Sequence, residues 1–230
     1  MNKKIIGIVI AVIVVILIII GAVLIIRDLK QDQVLKNEIS RISKLDLSKD
    51  NINTSIKTKG DYAIVEKTIK NYLNEYSILV KKVTRVMENE KLATLLTSSN
   101  YKNDGPEFEN SKKYINELKD EFNNNIEKMI ELSKEENILK EIEDKGLNQE
   151  YIALYKDLML GTNVTEDLKN VIDQLQEAKD LINNRLDAIE DIIDFLNKHK
   201  NSWRINDNDE LEFTAEELLE EYNQKINKIV

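Results

Sequence analysis

The apolar positions of this chain form one unbroken run followed by a series of helical stripes. From Ile5 to Ile26 the sequence reads IIGIVIAVIVVILIIIGAVLII, without a charged or polar side chain. At a rise of 1.5 Å per residue such a run spans about 33 Å, enough to cross the hydrocarbon core of a bilayer. It predicts a single transmembrane anchor over residues 1–26, opened by the basic start Met1-Asn2-Lys3-Lys4. A secretory signal begins the same way, but its apolar core is shorter and ends in a small-x-small cleavage site that is not evident here.

After the run, Leu35, Ile39, Ile42 and Leu45 keep a helical stripe, whereas Asp46 to Gly60 is mostly polar and has no period. Residues 27–60 are therefore expected to be a stalk and linker. From Asp61 to about Leu96 the stripe is Val65, Ile69, Tyr72, Tyr76, Leu79, Val83 and Val86, whose alternating spacings of four and three mark a coiled-coil seam. A polar loop over Thr97 to Asn103 ends that helix.

Asp104-Gly105-Pro106-Glu107 predicts the next start, with Asp104 as N-cap, Pro106 in the first turn and Glu107 completing a capping box. That helix should run to about Lys145, with Phe108, Ile115, Leu118, Phe122, Ile126, Met129, Leu139 and Ile142 inside and Gly146 at its left-handed end. A shorter helix through Tyr155 stops at Gly161. Asn163 and Glu166 then cap a long helix over Val164 to Lys200 with a seam from Leu168 to Leu196.

The chain beyond Ser202 changes character. Trp203-Arg204-Ile205 and Leu211-Glu212-Phe213 alternate as strands around a polar turn, which predicts a β-hairpin. Thr214 with Glu217 reads as a capping box, and Phe213 with Leu218 as a hydrophobic staple, for a last helix burying Leu218, Leu219, Tyr222, Ile226 and Ile229.

Three long helices of nearly equal length pack most economically as an antiparallel bundle. The expectation is thus an all-α protein with an N-terminal transmembrane helix and an antiparallel three-helix, spectrin-like bundle over 61–202. A small hairpin-helix cap over 203–230 closes its membrane-distal end. Trp203, the one tryptophan, is expected to plug that end, with a binding anchor as the other reading.

Composition narrows the chemistry. With 42% apolar and 33% charged residues but six glycines and one proline, the chain is too apolar for disorder and too poor in turn residues for a β-sandwich. Its wealth of Lys, Asn and Ile, residues with AT-rich codons, points to a bacterial source. No cysteine is present, which excludes disulfides, thiolate metal sites and a lipidated-cysteine anchor. Of the 33 basic and 42 acidic side chains only Lys3 and Lys4 precede Arg27, so the part outside the anchor is strongly acidic. Such a surface repels nucleic acid and other polyanions.

No catalytic constellation is legible. His199 is the one histidine and lacks the partners of an HExxH or a di-iron site. Phosphate loops, nucleophile elbows and dinucleotide fingerprints are all missing from the sequence. The most distinctive charge feature is the acidic stretch from Asp207 to Glu221, whose spacing departs from a calcium-binding loop. Neither a cofactor nor a metal is expected, and the candidate partner-binding residues are Trp203, Asp207, Asp209, Glu216 and Glu220.

Orientation follows the basic residues, and they are divided. Lys3 and Lys4 favour a cytoplasmic N-terminus, while Arg27, Lys30, Lys36, Arg41 and Lys44 favour the reverse. A short basic start before an apolar run resembles a signal anchor, which places the folded part outside the cytoplasm. The expected function is that of a non-enzymatic interaction or envelope protein, a single-pass chain in the cell membrane held by residues 5–26 and docking a protein partner. Its architecture also resembles the spectrin-like scaffold proteins of bacterial division, which would put the bundle in the cytoplasm. A ligand-sensing four-helix domain is a further alternative, although the chain lacks the second span and signalling domain of a receptor.

Overall fold

The seams read from spacing are the buried lines of the folded chain. In the computed structural model, residues 29–160 and 164–229 are described. The expected anchor over 1–26, the helix stop at Gly161 and the cap at Asn163 lie outside them. Among the described residues no helix is long and apolar enough to cross a membrane. The elements in order are α1 (Leu29–Ile42), α2 (Asp61–Met87), α3 (Glu90–Thr94), α4 (Ser98–Asp104), α5 (Glu109–Leu132), α6 (Glu135–Glu143), α7 (Gln149–Leu160), α8 (Val164–Lys198), β1 (Trp203–Ile205), β2 (Leu211–Phe213) and α9 (Glu216–Ile226). The described chain is mainly helical, in keeping with the all-α class.

It divides into two compact units, with α2, α5 and α8 contributing residues to both. The first, here the clasp unit, comprises residues 29–84 and 125–178. The second, the hairpin unit, comprises 85–124 and 179–229. Every seam residue of α2 from Val65 to Val86 is buried, as is the α8 seam from Leu168 to Leu196. Phe108, just before α5, and Ile115, Leu118 and Phe122 on its inner face are buried in the hairpin unit, and Ile126 and Met129 continue that face in the clasp unit.

Helix ends differ from expectation where polar side chains compete for the backbone. The second helix stops at Met87 rather than near Leu96. Asn89 accepts from the Lys91 amide at 3.0 Å to start α3, and Thr97 accepts from the Asn100 amide at 3.4 Å to start α4. Asp104 closes α4, so Pro106 lies in a loop and not in a first turn. Asp104 still caps the next helix: its carboxylate accepts from the amides of Asn110 at 3.2 Å and Ser111 at 2.7 Å, the first turn of α5. Those bonds hold the Asp104 carboxyl below the usual range, although burial works against them.

The expected helix to Lys145 breaks at Ser133. Ser133 Oγ donates to the Met129 carbonyl at 2.8 Å, Asn137 Nδ2 to the Glu131 carbonyl at 2.7 Å, and the Tyr72 hydroxyl to the Leu132 carbonyl at 2.8 Å. Three carbonyls at the end of α5 thus find side-chain donors, and the helix stops without orphaned acceptors. The restart shifts the helical phase, so Ile138 is buried where Leu139 was expected. Gly146 takes φ 67°, the left-handed turn foreseen after α6.

In the clasp unit the supposed stalk and linker is a packed segment. Leu35, Ile39 and Ile42 of α1 are buried, but α1 ends at Ile42 and Leu47 takes the inner place expected of Leu45. Ser77 Oγ donates to the Leu47 carbonyl at 3.1 Å, and Lys81 Nζ to Asn51 Oδ1 at 2.6 Å. Further along, Lys70 is wholly buried and donates to Glu38 at 2.7 Å, Glu66 at 2.6 Å and the Ser55 carbonyl at 2.7 Å. All three ammonium protons have acceptors. Glu66 in turn accepts from the amides of Lys57 and Thr58 and from the Thr58 hydroxyl, and Glu38 takes a two-nitrogen grip from Arg41. Of residues 51–58 only Ile52 buries an apolar side chain, and these charges fix the rest of the segment on α1 and α2.

In the hairpin unit α5 and α8 run antiparallel. Lys112 pairs with Asp194 at 2.6 Å, Lys119 with Asp187 at 2.6 Å, and the amides of Asn123 and Asn183 bond reciprocally, so partner numbers fall as α5 advances. The hairpin forms as predicted, with Trp203 opposite Phe213, Arg204 opposite Glu212 and Ile205 opposite Leu211.

Candidate functional site

Aromatic residues gathered from four segments seat the hairpin. Trp203 stacks on Phe108 with centroids 6.0 Å apart and meets Tyr101 edge-on at 6.1 Å, while Tyr101 meets Phe108 edge-on at 5.9 Å. The indole N–H donates to the Leu196 carbonyl at 2.7 Å, at the end of α8. Phe108 occupies φ 57°, a conformation uncommon for a bulky residue, and the aromatic contacts hold it there. Gly105 lies so close that an added Cβ would sit 2.4 Å from the Tyr101 carbonyl oxygen and 2.9 Å from the indole.

A second cluster joins α9 to this base. Phe213 lies against Phe195 at 6.0 Å and Tyr222 at 5.5 Å, and the Tyr222 and Tyr101 hydroxyls are 2.9 Å apart. Burial pushes both phenols up. Lys225 spans from Asp191, at 2.7 Å, to the face of Phe195. His199 rests on Phe195 at 4.8 Å, a half-buried helix-end residue.

The turn between the strands is organised by Asn206. Its side-chain oxygen accepts from the amides of Asn208 and Glu210, and its amide group donates to Glu212. That bond and the Arg204 guanidinium hold the Glu212 carboxyl below its ordinary range. Asp209 takes φ 64°, pairs with Lys102 and offers its carbonyl to Ser98, so the turn is tied to α4.

The five residues singled out in the sequence thus separate. Trp203 faces inward as the plug. Asp209 is spent on Lys102. Asp207 lies exposed on the turn, while Glu216 and Glu220 lie exposed on α9, and these three form no ion pair among the described residues. Among the described residues no group of three or more His, Asp or Glu side chains could hold a metal ion.

The expected start of α9 is corrected. Ala215 is its N-cap, without a side-chain bond, because Thr214 is drawn back to the hairpin: its amide and hydroxyl both donate to the Ser202 carbonyl, at 2.9 and 3.3 Å. The burial expected of α9 is corrected as well. None of its residues is buried, and Leu219, expected inside, is 41% exposed. Leu218, Tyr222 and Ile226 are each half-buried. Sequence reasoning passed over Tyr101, Phe195 and Tyr222 as a group, because nothing in their spacing joins residues so far apart in the chain.

Comparison with models of protein families, with curated proteins and with solved structures finds no match.

Proposed function

We propose that this is a membrane-tethered helical-bundle protein, without catalytic activity of its own, that works by docking a protein partner on the surface formed by the hairpin and α9. The carrying observation is a contrast in burial. The long seams are buried throughout, whereas α9 and both strands leave every large apolar residue part-exposed, and on α9 they lie beside Glu216 and Glu220, which form no ion pair among the described residues. A contiguous apolar surface rimmed by charge is the usual mark of a protein-docking site. Tethering through residues 5–26 rests on the length and polarity of that run. The antiparallel ladder between α5 and α8 supports the finer reading of the long helices as a spectrin-like three-helix bundle. In this reading the domain lies outside the cytoplasm and the partner is not a nucleic acid.

A photoreactive residue at position 219 of the full chain, irradiated in native membranes, is expected to give one discrete protein adduct. The same group at Ile78, which is 47% exposed on α2, should give none. Equal, diffuse labelling from both positions, or none from 219, would overturn the proposal. A topology reporter fused to the C-terminus tests the side of the membrane.

A further inference from the structure

Resting on that reading, we infer that the partner presents a cationic amphipathic helix, which packs along the Leu219 edge of α9. Leu219, Tyr222 and Ile226 follow one another at spacings of three and four, the repeat of a helix-pairing seam. This seam is open to solvent to a degree matched by no seam of α2, α5 or α8. It is also fixed in place: the Tyr222 phenol is held by Tyr101, and Lys225 by Asp191, so α9 offers its edge without an ordering cost on its own side.

Charge selects among the occupants such an edge could take. Glu216 and Glu220 stand one turn apart beside Leu219, both exposed and without an ion pair among the described residues. A second copy of this chain, docked edge to edge, would bring the same carboxylates together. An anionic bilayer would be repelled in the same way. A helix with leucine-like residues on its seam and lysine or arginine beside them satisfies both features at once.

The test uses the full chain in zwitterionic nanodiscs and two synthetic heptad-repeat helices, one of leucine and lysine and one of leucine and glutamate, with empty discs subtracted. The leucine–lysine helix is expected to bind, and E216K/E220K to weaken it at least about tenfold while admitting the leucine–glutamate helix. Leu219→Asp should remove binding while lowering the melting temperature by only a few degrees, because Leu219 is 41% exposed, and Leu219→Ala should weaken binding with a smaller effect on melting. The charge-matched pair E75K/E88K, on exposed sites elsewhere, should change affinity less than about threefold. Equal loss from E75K/E88K would reduce the effect to overall charge, and unchanged binding by Leu219→Asp would remove the seam. Self-association of the chain that Leu219→Asp abolishes would assign the edge to a second copy. Any of these three would overturn the inference. If the photoreactive residue at 219 captures a partner but the peptides show no charge preference, the docking site stands and only the cationic helix falls.

Discussion

The clasp unit and the hairpin unit each hold a non-helical segment against helices, and they do so with opposite chemistry. Residues 51–58 bury only one apolar side chain, Ile52, and it is Lys70 and Glu66 that withdraw from water to grip their backbone, with Glu38 completing the pairing of Lys70. The hairpin has Trp203, Ile205, Leu211 and Phe213, so stacking on Phe108, Tyr101 and Phe195 is enough, and its charges stay wet. A buried ion cluster contributes little net stability, because desolvation offsets attraction, but it tolerates only one arrangement. Stacked rings tolerate partial exposure. The first device therefore pins its segment by the backbone with most side chains of that segment in water, and the second leaves an apolar edge open for use.

The largest expected effect tests the frame common to both units. Leu79→Asp in the clasp unit and Ile189→Asp in the hairpin unit each place a charge at a buried seam position and should cost on the order of 4 kcal/mol or more in urea unfolding. Wild-type unfolding in both would show that the seams are not the core.

Lys70→Met comes next and addresses the clasp alone. It strands the wholly buried Glu66 without its cation, while Glu38 keeps Arg41, a loss of roughly 3–5 kcal/mol. Hydrogen exchange should accelerate in residues 29–59 and not in 203–226. Adding Glu66→Gln to Lys70→Met should recover part of the loss, and failure to do so would mean that Lys70 acts through its methylenes.

The mirror experiment is Trp203→Ala, worth about 2–3 kcal/mol for a large, partly buried ring, with faster exchange confined to the hairpin and α9. Gly105→Ala should act in the same direction, because its Cβ has no room against the Tyr101 carbonyl. Wild-type Trp203 should fluoresce as a shielded indole. Emission of a fully solvated indole would mean that the hairpin is not seated.

Acid separates the units more gently. Glu38 is held at about 2, against an ordinary 4.5, first by Arg41 and then by Lys70. Glu66 is also lowered: burial pushes it up, and Lys70 with Thr58 more than reverses this. Carboxylates depressed in the folded state contribute stability that is complete above about pH 4.5 and disappears as pH falls toward 2. Exchange in 29–59 should therefore rise over that window, and rise less around Trp203, where Asp104 and Glu212 are also lowered but where stacked rings hold the hairpin. The smallest effect belongs to Asp209→Gly. Relief of a positive φ and loss of an exposed pair to Lys102 nearly cancel, and stability should stay within about 0.5 kcal/mol.

Much of this was legible before folding, and the residues show why. The seams of α2 and α8 were readable because burial repeats with the helix period, and the hairpin because Trp203 to Ile205 and Leu211 to Phe213 alternate around a polar turn. Asp104 was read as the N-cap of a helix opening at Pro106, but it ends α4 and its carboxylate acts across a loop onto Asn110 and Ser111. The break at Ser133 was not readable, since one of its donors is the hydroxyl of Tyr72, a residue on another helix. Nor was the clasp, whose Glu38, Ser55, Thr58 and Lys70 carry no shared period.

Sequence by itself determined the helical class, the inward faces of the long helices, the hairpin pairing and the acidic character of the exposed chain, because each depends on near neighbours or on totals. Tertiary structure decided which polar residues are buried, where the helices break and how much of α9 is covered. Those outcomes depend on which distant side chain arrives to donate a proton or cover a ring. Lys70 and Lys102 are the same residue in sequence terms, and only the fold surrounds one with carboxylates and leaves the other in water. Leu219 and Leu79 differ for the same reason, one left at the edge of α9 and the other closed in the seam of α2.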